Sequence, residues 1–474
     1  MKKIIAISLA VIMLAGTFLF SGCSSSMDEK TAQNLKSDVY NIYEELKPVY
    51  QKARDIYDIR DYLCKWASAN DYSCSRLAGG NLIITRASSK HHKDAPYTAF
   101  QCTISNSKND YKDCCQSAAI AMSAMKNASK HGKVSIIFTA EENGDLIGAE
   151  MLPKGYLDAD YLINLDYSAD TALYTGSTAT ADYVISSSYS KTTTNSNKAY
   201  RISISGLTGG DSSDTSESHP NPIVTIADLL TSCKSGGMVM NLSSFNGGES
   251  DGTFPKKATA VVVIDENDSE DFTNALDKSK SSFEDKYFTS DPNLKYEYKE
   301  VNVPQKVISS DDTANIVSLM YTTKNGVYKT TEDNGNGDTT AKACKSMIST
   351  KNGHFSLTIC ARCTTAAIMK DMTDTYKESA GLSDMKFSVK KSTDAWPYSD
   401  SGRLIDSFRT ACQQGGLSSL DPEITFKKNE CAVFYKKNKD LQMISFGVNN
   451  SDAFEQAKTL VYFLSLICNA QNSQ

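Results

Sequence analysis

Apolar residues recur at three- and four-residue spacing between Leu35 and Ala67, at Val39, Ile42, Leu46, Val49, Ala53, Ile56, Leu63 and Trp66. This spacing predicts an amphipathic helical segment that Pro48 kinks or divides. Short apolar runs follow. Leu82-Ile83-Ile84 comes after the turn Gly79-Gly80-Asn81, residues 97–104 form a second run, and residues 134–138 a third. Each predicts a buried strand, and the Ala- and Met-rich residues 117–125 predict a buried helix between the last two. Two runs end in acid: Ile136-Ile137-Phe138-Thr139-Ala140-Glu141-Glu142 and Tyr161-Leu162-Ile163-Asn164-Leu165-Asp166. Alternating strands and helices predict an α/β layer with a largely parallel sheet, whose sites gather at the carboxyl ends of its strands. Glu141, Glu142 and Asp166 would sit at that edge.

The pattern shifts near Ala181, where Ser and Thr increase and a polar stretch, residues 211–221, intervenes. Residues 258–264 read as a strand and 269–288 as a helix with many exposed charges. The turn Asp333-Asn334-Gly335-Asn336-Gly337-Asp338 lacks the spacing and terminal Glu of a calcium-binding EF-hand loop. After Trp396-Pro397 the first pattern returns: residues 403–412 are helical, Met443-Ile444-Ser445-Phe446-Gly447 is a strand, and Ser451 caps a final helix. The apolar face of that helix carries Phe454, Ala457, Leu460, Val461, Leu464 and Cys468. The economical organisation is a domain in two parts, 35–180 and 394–474, interrupted by an inserted α/β domain, 181–393.

The chain has 474 residues, enough for two or three domains. Lys2 and Lys3 precede an apolar run, residues 4–20, and Phe20-Ser21-Gly22-Cys23 resembles a lipobox. Residues 1–22 are therefore expected to be a lipoprotein signal peptide, with Cys23 lipidated, 23–34 a polar tether and the body extracytoplasmic on a bacterial membrane. The alternative is a single membrane-spanning anchor. Losing Lys2 and Lys3 makes the formal net charge of −6 two units more negative, which argues against nucleic acid or anionic lipid as charge-driven partners.

With Cys23 assigned to lipid, twelve of the thirteen cysteines remain, an even number compatible with disulfides in an exported protein. Cys64 and Cys74 flank a helix-to-strand turn and form a reasonable local pair. Cys360-Ala361-Arg362-Cys363 matches C-x-x-C but lies in an apolar strand, where residues three apart face opposite ways, so a redox or zinc role is not expected.

In order and wording, several segments resemble the aminoacyl-histidine dipeptidases (Xaa-His dipeptidase, peptidase D), a branch of the two-zinc exopeptidases. Leu82-Ile83-Ile84 after Gly80-Asn81 is similar to the family's early strand, and Leu162-Ile163-Asn164-Leu165-Asp166 to its metal-binding strand. Ser205-Gly206-Leu207-Thr208-Gly209-Gly210 resembles the start of its lid domain. Leu242-Ser243-Ser244-Phe245-Asn246-Gly247-Gly248 resembles an interior lid motif, and Met443-Ile444-Ser445-Phe446-Gly447 the last strand. The resemblance implies a zinc-exopeptidase-like domain, with a mixed, largely parallel sheet between helices, interrupted by an α/β lid and dimerisation domain.

The family's chemistry needs two metals held by His and carboxylates, with a Glu taking the proton of the bridging water. Carried over residue by residue, the family's first His falls on Phe100, its orienting acid on Cys102 and its bridging Asp on Cys115, with Asp113 restored by a shift of two. The Glu-Glu pair falls on Glu142, the general base, and Asn143, or on Glu141 and Glu142 after a slip of one. Asp166 remains as a ligand. No His follows Gly447, and the five His (His91, His92, His131, His219, His354) fall at no ligand position. Arg362 matches a strand Arg that in relatives lies near the substrate carboxylate; the plainer reading is an ordinary ion-paired Arg.

The resemblance therefore implies a relative without catalysis that binds a peptide or protein, with no cofactor and a possible homodimer through the lid. The alternative is an active metallo-dipeptidase with a rebuilt zinc site of Cys102, Cys115 and Asp166, or a Cys102–Cys115 disulfide in its place.

Overall fold

The computed structural model describes residues 27–107, 111–141, 146–168, 170–214, 219–332 and 337–469. The leader, Cys23, Glu142, Asn143 and most of the 333–338 turn lie outside them. Among the described residues no helix is long and apolar enough to cross a membrane. The chain divides into two compact units: one formed by residues up to Thr175 with 399–423 and 437 onward, the other by 176–398 with 424–436.

The first unit is built on an eight-stranded sheet. Its order is Ser73–Arg76, Leu82–Arg86, Val134–Ala140, Thr98–Ile104, Tyr161–Tyr167, Gln442–Val448, Ala172–Ser177 and Pro422–Thr425. The four central strands run parallel, in register through Phe100↔Ile136, Gln101↔Asn164 and Ser445↔Asn164. Strand alternation then sorts the side chains. Leu82, Ile84, Phe100, Cys102, Ile136, Phe138, Ile163, Leu165, Ile444 and Phe446 join the large apolar core formed with the helices. Gln101, Thr139, Asn164, Asp166 and Ser445, one residue out of phase, face the other way.

The helices packed on that core are Glu29–Lys52, Ile56–Ala69, Tyr111–Asn127, Arg403–Gly415 and Ala453–Asn469. The first begins at Glu29, inside the expected tether, because Asp28 caps it by accepting from Thr31 N. It also runs through Pro48, an exposed residue in the last turn and a half, where water can satisfy the carbonyl that proline leaves without a donor. The break comes instead at 53–55, and Asp55 caps the next helix. Cys64 and Cys74 form a disulfide, Cα–Cα 5.7 Å, across the predicted turn.

The second unit holds a nine-stranded antiparallel sheet whose central members are Met240–Gly247, Thr339–Lys351, His354–Cys363 and Ala179–Ser188. Helices Pro222–Ser235, Ser269–Tyr287, Ser310–Thr322 and Ala366–Leu382 cover one face with Ile223, Leu230, Phe272, Leu276, Leu319 and Tyr376. Lys345 is buried on this side, where its ammonium donates to Met320 O near the end of a helix. Burial lowers its pKa from 10.5 to about 8, opposed by Asp228. The unfolded chain therefore binds one more proton than the folded one between those values. This group's contribution to stability rises with pH across that window and is least favourable below about 8. Lys345→Met is expected to add about 1–2 kcal/mol at pH 7 and to flatten the rise. Urea denaturation at pH 7 and pH 10 checks this; a less stable variant at pH 7 would show that the bond to Met320 outweighs the burial.

Candidate functional site

The four parallel strands end together at Ile104, Ala140, Tyr167 and Val448, and this edge carries Glu141 and Asp166. The turn Gly79-Gly80-Asn81 fixes one side of it. Asn81 accepts from Ala140 N at 2.9 Å and donates to Gly148 O at 2.8 Å. Gly80 takes φ +82°, a backbone conformation that strains any residue with a side chain, and a Cβ there would also push Ile56 aside, its Cδ1 lying 2.3 Å away. Glu141 continues its strand through Glu141 N to Ile104 O, and its carboxylate accepts from Leu146 N at 2.9 Å. Asp166 is half-buried, paired in register with Gly447.

The positions expected to hold metal are filled by other contacts. Phe100 and Cys102 are fully buried in the apolar core, and the Cys102 thiol lies 3.5 Å from Ser117 O. Cys115, fully buried in helix Tyr111–Asn127, has its thiol pushed up to about 12 by burial. Asp166 belongs to the opposite alternation, so the proposed zinc set of Cys102, Cys115 and Asp166 does not assemble. Among the described residues no group of three or more His, Cys, Asp or Glu could hold a metal. Neither Cys102 nor Cys115 is disulfide-bonded, so the alternative of a bond between them is not formed either.

After Gly447, where the resemblance implies a His, the chain closes into hydrogen bonds. Asn449 Oδ1 accepts from Asp452 N and Ser451 Oγ, both at 2.9 Å, and its amide donates to Thr171 Oγ1 at 3.0 Å. Thr171 donates to Asp452 at 2.6 Å, and fully buried Gln456 donates to Thr171 at 2.8 Å. Asn449, not Ser451, thus organises the start of the last helix, and Ser451 spends its hydroxyl on Asn449. The histidines are elsewhere. His91 is exposed, and His92 lies 3.0 Å from Ser89 Oγ. His131 is buried before the amino end of its strand, its pKa lowered by burial. His219 stacks on Phe254 at 4.4 Å beside Asp214, and His354 is exposed.

A feature the sequence reading missed crosses the polar side of the central sheet. Ser445 Oγ donates to Asn164 Oδ1, Asn164 Nδ2 to Gln101 Oε1, and Gln101 Nε2 to Thr139 Oγ1 at 2.9 Å. All four residues are at most 2% exposed. The signal was present as one polar residue in each apolar run: Phe-Gln-Cys, Phe-Thr-Ala, Ile-Asn-Leu and Ile-Ser-Phe. The first unit also has a cleft lined by Asp94, Asp158, Asp160, Asp440 and Arg403. It opens at the amino ends of the strands, away from Asp166.

In the second unit, Arg362 is buried on the sheet face away from the helices. Its guanidinium donates to Phe426 O at 3.0 Å, Asp211 Oδ1 at 3.3 Å and Ser212 Oγ at 3.4 Å, leaving Nε without a partner. Lys342, directly opposite, donates to Asp214 O and lies 5.5 Å from the Phe254 ring centre. Burial lowers its pKa. Asp211 is thus the counter-ion of Arg362.

No family model matches the chain. It is 19% identical over 428 residues to the cytosol non-specific dipeptidase of Escherichia coli (strain K12), covering 82% of this chain and 86% of that protein. The crystal structure of aminoacylhistidine dipeptidase from Vibrio alginolyticus superposes with a TM-score of 0.71 at 15% identity, covering 94% of this chain and 98% of that one. The chain is a distant relative of these dipeptidases and has their fold, a mixed, mostly parallel sheet with a separate antiparallel-sheet unit.

Proposed function

We propose that this protein is an extracytoplasmic lipoprotein, tethered through Cys23, that keeps the dipeptidase scaffold without its two-metal chemistry and works by binding a peptide or protein. The observation that carries this reading is Phe100. Where the resemblance puts a zinc-binding His there is a ring fully buried in an apolar core, and the other His position is taken up by the Asn449 hydrogen bonds. Glu142, if it stands at the edge as the resemblance implies, would have no metal-bound water to deprotonate. The likeness to dipeptidases makes a peptide the natural ligand class, with a carboxylate competing against Asp211 for Arg362. Pairing of two copies through the second unit belongs to the same proposal.

The test is metal content and activity together. The purified mature protein, dialysed against zinc and then against buffer, is expected to retain no tightly bound pair of ions by elemental analysis and to release no His from Xaa-His dipeptides. Two retained ions with hydrolysis would sink the proposal. Sedimentation of the unlipidated body reads the dimer separately.

A further inference from the structure

In the second unit, Cys344 of strand Thr339–Lys351 stands directly opposite Cys360 of strand His354–Cys363. Opposed residues of an antiparallel pair project to the same face, with α-carbons about 4.5–5.5 Å apart. That lies within the roughly 4.4–6.8 Å that a disulfide spans. Both cysteines are buried, yet neither belongs to the apolar core on the helix side, which takes Ala343, Ile359, Ala361 and Cys363. They share the polar face with the next cross-strand pair, Lys342 and Arg362. One short arm covers both: Gly252 N donates to Cys360 Sγ at 3.0 Å, and Cys344 Sγ lies 3.9 Å from Thr253 O. Cys363 is no competitor, because it faces the helices and its thiol lies 3.1 Å from Thr365 O.

We propose that Cys344 and Cys360 close a second, cross-strand disulfide by exchange with a small-molecule or protein disulfide. The thiolate of one cysteine attacks the oxidant's S–S bond, forming a mixed disulfide and expelling one thiolate. The thiolate of the other cysteine then attacks its partner's sulfur, forms the Sγ–Sγ bond and expels the second thiolate. The two cysteine protons end on the two departing thiols, and the oxidant gains the two electrons that the cysteines lose. Burial pushes both thiols up, Cys360 to about 12, so exchange is slow while the Gly252-Thr253 arm is closed and proceeds during folding or when the arm lifts. Once formed, the bond ties the strand of Arg362 to that of Lys342. The chemistry depends on the register of two strands and not on export or on the function proposed above.

The experiment equilibrates the purified protein with oxidised glutathione, unfolds it in an alkylating agent and maps its tryptic peptides by mass spectrometry. Cleavage after Lys342, Lys345, Lys351 and Arg362 isolates Cys344 in residues 343–345 and Cys360 in residues 352–362, apart from Cys363. The expected result is these two peptides joined as the dominant form, with the loss of two alkylatable thiols. Cys344→Ser should return Cys360 to the alkylated form and leave Cys64–Cys74 linked. Recovery of both peptides alkylated beside an intact Cys64–Cys74 link overturns the proposal, as does Cys360 joined to any other cysteine.

Discussion

Phe100→His, which introduces the residue type that the resemblance to the dipeptidases implies at this position, is expected to cost about 3–5 kcal/mol of stability and to gain no zinc. The ring it removes is fully buried, shares its core with Phe138, Ile163 and Phe446, and faces the helices. An imidazole there would leave a void and place two nitrogens among groups that offer no partner. Nor would it meet a second ligand, since Asp166 and Gln101 point from the opposite side of the sheet. Urea denaturation and zinc calorimetry on the variant read the two effects separately. A variant that binds zinc while keeping wild-type stability would show that position 100 lines a cavity, and the pseudo-peptidase reading would lose its main support.

The second large effect is expected at Asn164. Asn164→Leu takes the donor from Gln101 Oε1 and the acceptor from Ser445 Oγ at a fully buried site, which should cost about 3–5 kcal/mol. Replacing the row together, as Gln101→Leu, Asn164→Leu and Ser445→Ala, should cost less than the single change, because of the row only the Thr139 hydroxyl then loses its partner, in place of both Gln101 Oε1 and Ser445 Oγ. Denaturant midpoints of the single and triple variants decide the matter. A triple variant weaker than Asn164→Leu alone would mean that shape, not hydrogen bonding, sets the value of this row.

These two positions show what the sequence could and could not reveal. The elements themselves were legible: the 258–264 strand, the 269–287 helix and the buried stripe of the last helix all follow from period and propensity. The facing of the central strands was not. A strand buried on both sides gives a continuous apolar run, so nothing local says whether Phe100 or Gln101 looks toward the helices. Only pairing with Ile163 and Asn164, some sixty residues on, decides it. Collinear motifs located the acidic edge, but a position matched by order says only where a ligand would stand. Whether Cys102 could reach Asp166 depended on that same alternation. Ser451 looked like a cap by residue type, and Asn449 won because its side chain reaches Thr171 as well. Asp28 and Pro48 misled for a simpler reason: hydrophobic period reports the buried face of a helix and is silent about its polar ends.

The central pair Tyr161–Tyr167 and Gln442–Val448 joins segments separated by the whole second unit, a contact of long sequence separation that a searching chain finds slowly. The second unit shortens that search. Ser177 N donates to Trp396 O at 3.0 Å, so once this unit has formed, the two ends of the insertion are held side by side. The loop left to close is then the short stretches flanking the insertion rather than all of it, an entropic saving of about 1 kcal/mol. An order in which the second unit forms first is thus the one that leaves the shorter loop for the central pair to close.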